Sequence, residues 1–184
     1  MRHEAAVVRE VRYAARYPQS SVLKKGASVA KVEKDVHVDV PVARAYEIWS
    51  TFEAFPAFMR NIESIDQDGS KLHWVATVRG KREEWDAEIT EQTPNQVVAW
   101  RSTSGVENHG AVRFEEHEGG THVYVTIEYH RNSLEAVGDT LTHAVASEVQ
   151  QNLDDFKTYA EMGEPVIGRR TEDLDQGKAG WPSQ

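Results

Sequence analysis

The sequence predicts an α+β domain in which a curved antiparallel sheet wraps around one long C-terminal helix and encloses an internal cavity, in the order β-α-α-β6-α. Three observations carry this. A Val-rich alternating segment opens the region at Val32, and six further alternating segments follow between Ile62 and His130. After them, apolar residues from Leu134 to Phe156 recur every three or four positions. Strands that are apolar on one face and polar on the other require a cover on one side only, and a single amphipathic helix supplies it.

The elements follow in order. Val32, Val36, Val38 and Val40, with Lys34 among them, alternate with Glu33, Asp35, His37 and Asp39, which is the period of a half-buried strand. Pro41 suits a helix start, and Ala45, Ile48, Trp49 and Phe52 fall on one helical stripe. Pro56 ends or interrupts that helix. Phe55, Phe58 and Met59 then suit a second small helix that closes one end of the domain.

A hairpin meander follows, beginning with Ile62 to Asp66 and the Asp68-Gly69 turn. Leu72, Trp74, Ala76 and Val78 share a face, and after Gly80 so do Trp85, Ala87 and Ile89, opposite Glu84, Asp86 and Glu88. Thr93-Pro94-Asn95 turns the chain into Val98, Trp100 and Ser102. Gly110, Val112 and Phe114 answer them across the Gly105 loop, and Gly119-Gly120 leads to Val123, Val125, Ile127 and Tyr129. Ser133 is a candidate N-cap for the long helix. Its apolar stripe runs through Leu134, Val137, Leu141, Ala144, Val145, Val149, Leu153 and Phe156 to Tyr159 or Ala160, about seven turns.

The flanks differ from this core. Residues 1–31 carry seven basic side chains (Arg2, Arg9, Arg12, Arg16, Lys24, Lys25, Lys31) against Glu4 and Glu10, in a chain of 184 residues whose net charge is -9. Ala5, Val8, Val11 and Ala15 recur at helical spacing, so this basic arm suits docking on the acidic domain, an organellar address, or contact with an anionic membrane. Gly163 to Gln184 mixes Gly, Pro and charge without an apolar period and reads as a tail. The organisation expected is therefore a basic arm over 1–31, a ligand-binding domain over 32–162 and a tail over 163–184.

Cysteine is absent, which removes disulfides, thiolate nucleophiles and Cys-ligated metal sites. No apolar run reaches the roughly 18 residues of a spanning helix, and no secretory h-region is present, so a cytoplasmic location is the default expectation. An acidic domain repels phosphate backbones, and Arg79, Lys81 and Arg82 form too small a basic patch to reverse this; no nucleic-acid partner is expected. Phosphate loops, nucleophile elbows, nicotinamide fingerprints and H-E-x-x-H spacing are all missing. Neither cofactor nor metal is expected.

The strings Leu72-His73-Trp74, Trp85-Asp86-Ala87-Glu88-Ile89-Thr90-Glu91-Gln92, Ala99-Trp100-Arg101-Ser102 and Asn108-x-Gly110-x-Val112-x-Phe114 together carry a likeness. Over Val32 to Met162 the chain resembles the START and birch-allergen-like (SRPBCC) superfamily in its bacterial polyketide cyclase/dehydrase-like branch. The resemblance implies the helix-grip fold and a cavity that takes lipids, polyketides, isoprenoid quinones or hormones. It also implies a choice of activities, since members cyclise aromatic polyketides, transport or sequester ligands, or protect producers from their own antibiotics.

Inward parity nominates the site. Trp74, Trp85 and Trp100 either stack on a planar ligand or fill the interior. Ser102 and Asn108 either orient a ligand hydroxyl or carbonyl, or satisfy strand-end backbone groups. Phe58, Met59, Val112, Phe114, Val125, Ile127, Tyr129, Leu141 and Val145 complete the expected ligand-binding lining. His37, His73, His109, His117, His122, His130 and His143 fall on outward positions or near turns, and Glu84, Asp86, Glu88 and Arg101 point outward too. No catalytic residue is nominated. The expected function is binding or sequestration of a hydrophobic small molecule. The alternatives are an aromatase/cyclase in which Ser102, Asn108 or Tyr129 polarises a carbonyl, and an interaction module built on the basic arm.

Overall fold

The computed structural model describes residues 29–78, 80–130 and 139–163, the side chains of His130 and of residues 139–142 excepted. Seven strands form one wholly antiparallel sheet in the spatial order β1-β7-β6-β5-β4-β3-β2. They are β1 (Val29–Val38), β2 (Ile62–Asp68), β3 (Lys71–Val78), β4 (Lys81–Thr93), β5 (Val97–Ser102), β6 (Asn108–His117) and β7 (Gly120–His130). Helix α1 (Val42–Ser50) and a 3-10 helix (Phe52–Ala57) link β1 to β2, and α2 (Asp139–Met162) closes the domain. This is the α+β helix-grip arrangement. β2 to β7 form a meander of hairpins, and β1 returns beside β7 with Val32 opposite Ile127 and Val36 opposite Val123.

β1 starts three residues earlier than its alternation suggests, because Ala30 is buried with Val32 and Tyr129 beneath Val145, Ala146 and Val149 of α2. α1 stops at Ser50, well before Pro56, which sits inside the 3-10 helix. Phe52 therefore belongs to that tighter turn. It packs on Phe55, and Phe55 on Phe58, with ring centroids 5.4 and 5.3 Å apart.

Two findings differ from strict one-sided burial. β5 is the middle strand, and Val97 and Ala99 are buried on its outer face with Ala111 of β6. Ala144 is exposed on α2, since the helix turns its 145, 149 and 153 positions to the sheet instead. Ser133, Leu134, Val137, Arg79 and most of the basic arm and tail lie outside the described residues. So does the side chain of Leu141. α2 has 24 residues, a rod of about 36 Å.

Tyr46 and Trp49 of α1 cover Phe114, with ring centroids 5.6 and 6.4 Å away, and Trp49 lies 4.9 Å from the Phe156 ring. Phe58 stacks on Tyr159 at 5.1 Å and meets Phe156 at 5.6 Å. That end of the grip is filled with aromatic side chains. α2 is fixed there by Arg60, whose Nε and Nη2 donate to Asp155 Oδ2 at 2.6 Å and Oδ1 at 3.0 Å. Lys157 Nζ donates to the His37 carbonyl at 2.8 Å and ties the helix to β1.

Candidate functional site

Toward the N-terminal half of α2 the sheet and helix diverge, leaving a cavity of about 190 Å³. It lies among Trp74 of β3, Trp85 of β4, Trp100 of β5, Asn108 of β6, and Val125, Ile127 and Tyr129 of β7. α2 contributes Val145, Glu148, Val149, Asn152 and Leu153, and Met59 closes one side. These positions answer to simple periods: successive inward residues of each strand, and the three- and four-residue steps of one helix face.

The tryptophans are held individually. Trp74 and Trp85 are direct cross-strand partners, and their rings stack at 5.5 Å with planes 10° apart. Trp100 lies across Gly110, where a Cβ would stand 2.6 Å from the indole ring and 2.6 Å from the Thr126 carbonyl oxygen, so only glycine lets the ring lie flat on β6. Its Nε1 donates to Asn108 Oδ1 at 3.0 Å. Asn108 in turn donates from Nδ2 to the Val106 carbonyl at 2.9 Å and from its backbone N–H to Ser102 Oγ at 2.9 Å. Both polar side chains thus serve the strand ends and the Trp100 ring. Beside Trp85, Gly105 sits at φ +66°, and a Cβ there would lie 2.8 Å from that of Trp85.

Nine of the nominated residues come together at the cavity: Met59, Trp74, Trp85, Trp100, Asn108, Val125, Ile127, Tyr129 and Val145. Four do not. Phe58 is fully buried against Phe156 and Tyr159. Val112 and Phe114 lie in the filled end of the core, and Ser102 is occupied by the Asn108 backbone. Trp49, Phe52, Phe55, Asn61, Ile62, Val78, Val106, Glu148, Val149, Asn152 and Leu153 are additional lining residues.

Polar character is sparse and local. Asn152 Nδ2 donates to Asn61 Oδ1 at 3.1 Å, joining α2 to the start of β2. Among the described residues Trp74 Nε1 and Tyr129 Oη are buried with no hydrogen-bond partner. Glu148 corrects the expectation that no acid or base faces inward. It lies one turn from Asn152 on the lining face of α2, and loss of hydration pushes its carboxyl above the usual carboxylate range. Its signal in the sequence was the helical stripe itself, on which 145, 148, 149, 152 and 153 are neighbours.

None of the histidines with a described side chain lines the cavity. His73 Nδ1 lies 2.8 Å from Asp86, His122 Nε2 2.6 Å from Asp35 and His109 Nε2 3.2 Å from Glu128, all on the outer face. Among the described residues no group of His, Asp or Glu is placed to hold a metal ion, and no helix is long and apolar enough to cross a membrane.

A curved seven-stranded sheet gripping a C-terminal helix around an apolar cavity is the START-like, birch-allergen-like helix-grip fold. The chain belongs to the polyketide cyclase/dehydrase and lipid transport family, whose model matches residues 38–157. It is 41% identical over 137 residues, 72% of this chain and 91% of the other, to an uncharacterised 17.2 kDa protein of Streptomyces lincolnensis encoded in the melC2-rnhH intergenic region. Among solved structures, a START superfamily protein from Mycobacterium smegmatis is similar with a TM-score of 0.64 at 14% identity, covering 74% of this chain and 99% of the other. The Zhui aromatase/cyclase of Streptomyces sp. R1128 is similar with a TM-score of 0.57 at 17% identity, covering 79% and 98%. These two likenesses are likenesses of fold.

Proposed function

We propose that this protein binds a hydrophobic small molecule, such as a polyketide, an isoprenoid quinone or a lipid, between its sheet and α2, and holds it without turnover. The observation that carries this reading is the cavity wall, in which Trp74, Trp85 and Trp100 stand side by side on three adjacent strands. Burial of apolar surface and stacking on these rings supply the affinity. Sequestration of an antibiotic by its producer is one setting in which such binding serves. Native mass spectrometry of the purified protein, followed by titration of its tryptophan fluorescence with aromatic polyketides and quinones, tests the reading. The expected result is a retained ligand, or saturable quenching that Trp74→Ala weakens while the domain stays folded. No retained species and no saturable quenching across that panel would overturn it.

A second reading is an aromatase/cyclase acting on a polyketide intermediate. Glu148 favours it, as a carboxyl group that can hold or accept a proton inside the cavity. The Zhui aromatase/cyclase, alike in fold, lends it precedent. Turnover of a poly-β-ketone that Glu148→Gln abolishes would select this reading over simple binding.

A further inference from the structure

Apolar binding gives Glu148 nothing to do. The carboxylate stands on the lining face of α2, and among the described residues it makes no hydrogen bond and no ion pair; its only resolved electrostatic influence is the loss of water. Taking a carboxylate out of water costs free energy that a paired cation offsets, and Glu148 is half-buried. No lysine, arginine or histidine stands among the described residues of the wall to pair with it. The wall's other polar groups are neutral: Asn61 and Asn152 bond to each other, Asn108 is engaged by Trp100 and Val106, and Trp74 Nε1 and Tyr129 Oη have no partner among the described residues.

Around the same space stand four tryptophans, Trp49, Trp74, Trp85 and Trp100, together with Tyr129. Aromatic rings carry negative potential on their faces and attract ammonium groups, most strongly where water is excluded. A hydroxyl-bearing neutral ligand would stack on those faces and give the carboxylate a donor, yet leave its charge unneutralised. An organic cation neutralises the charge and is also drawn to the negative ring faces. The chain's net charge of -9 also draws cations toward it and repels anions.

We propose that the cavity is selective for hydrophobic amines, with the ammonium N–H groups donating to the Glu148 carboxylate and the apolar body packed among Trp74, Trp85 and Trp100. The proposal rests on the reading of this cavity as a ligand site and names the chemical class of the ligand. An ammonium beside Glu148 would draw its proton affinity back toward the ordinary carboxylate range.

The test uses the full chain and three probes of nearly the same shape: 1-naphthylmethylammonium, 1-ethylnaphthalene and 1-naphthylacetate, compared by equilibrium dialysis near neutral pH. The expected order is ammonium first, by about tenfold over the hydrocarbon, with the acetate weakest. Glu148→Gln is expected to remove the preference, bringing the ammonium's affinity about tenfold down to the level that the same variant shows for 1-ethylnaphthalene. That variant removes a charge from an apolar setting, so the domain should fold; circular dichroism checks it, and Glu148→Asp, which withdraws the carboxylate by one methylene, should weaken the preference in part. Equal binding of ammonium and hydrocarbon, or a preference that survives Glu148→Gln, overturns the amine assignment while the hydrocarbon's binding upholds the cavity as a ligand site. Failure of all three probes to bind overturns both.

Discussion

Arg60, just before β2, grips Asp155 of α2 through two parallel hydrogen bonds of 2.6 and 3.0 Å across 95 residues of sequence. The pair is asymmetric. The Asp155 side chain is only 6% exposed and Arg60 is 60% exposed, and the carboxylate is what pushes the guanidinium's proton affinity up. Arg60→Ala strands a buried carboxylate with Gln151 Nε2 alone, at 3.3 Å, and should cost about 2–3 kcal/mol, the solvated arginine keeping it at the low end for a broken pair. Asp155→Ala leaves a guanidinium that water can satisfy and should cost about 1 kcal/mol. Urea denaturation of both variants decides the matter, and equal losses would show that the fork is not buried at its acidic end.

Trp100 owes its place to Gly110. Adding a methyl group at Gly110 meets the indole and the Thr126 carbonyl oxygen at the same 2.6 Å, so neither side can yield without moving the other. Gly110→Ala should destabilise the domain by about 1–3 kcal/mol and break the bond from Trp100 Nε1 to Asn108. Near-ultraviolet circular dichroism reports the ring's displacement, and a variant that keeps both its spectrum and its stability would argue against this close packing.

The strand-by-strand legibility of the fold came from alternation. Trp74, Trp85 and Trp100 were placed inward correctly because no irregularity interrupts the parity between the turns and those residues. The register shifts between Ile89 and Glu91, so beyond it Gln92, not Glu91, shares a face with Val98. Alternation reports which face a side chain takes and is silent about depth along the strand. Val112 and Phe114 share the face of Trp100's neighbour Gly110, yet Val112 is fully buried in the core and Phe114 falls under α1, where Tyr46 and Trp49 fill the space. Glu148 and Asn152 escaped for a different reason. Hydrophobic periodicity marks a helix face by its apolar members, and a polar residue on that stripe is skipped even though it shares the cavity. Asn61 gave no signal, because its place depends on where the turn after the 3-10 helix ends.

His73 and Asp86, paired across β3 and β4 at 2.8 Å, make a pH-dependent contribution on the exposed face. The hydrogen bond to Asp86 raises the histidine's pKa above its ordinary 6.5. The bonds from His73 and from the Ser104 hydroxyl lower that of Asp86 below 3.8. A raised histidine contributes stability that is complete below 6.5 and is lost as pH rises through the raised value. A lowered carboxyl contributes above 3.8 and is lost as pH falls through the lowered one. The window in which both act fully therefore lies between 3.8 and 6.5. His73→Ala should lose most stability relative to the parent near the middle of that window, and little at alkaline pH. Solvent screening keeps the effect small. Thermal melts across pH check it, and a loss that does not vary with pH would assign His73 a packing role instead.

Glu148 reverses that logic. Its carboxyl is raised above the ordinary 4.5 by loss of hydration, so the folded protein holds this proton more tightly than the unfolded chain does. The folded state is then favoured at low pH, and its stability falls as pH rises from 4.5 through the raised value. Once the pH has passed the raised value, the ligand-free protein carries a charge against an apolar cavity with no partner for it among the described residues. Glu148→Gln should accordingly raise the melting temperature at pH values above the raised one and leave it unchanged well below pH 4.5, where the carboxyl is protonated in both states. Urea titrations at several pH values provide the comparison. A glutamine variant less stable than its parent above the raised value would mean that the carboxylate already has a favourable partner, and the cavity would then lack the unpaired charge that distinguishes it from a plain apolar pocket.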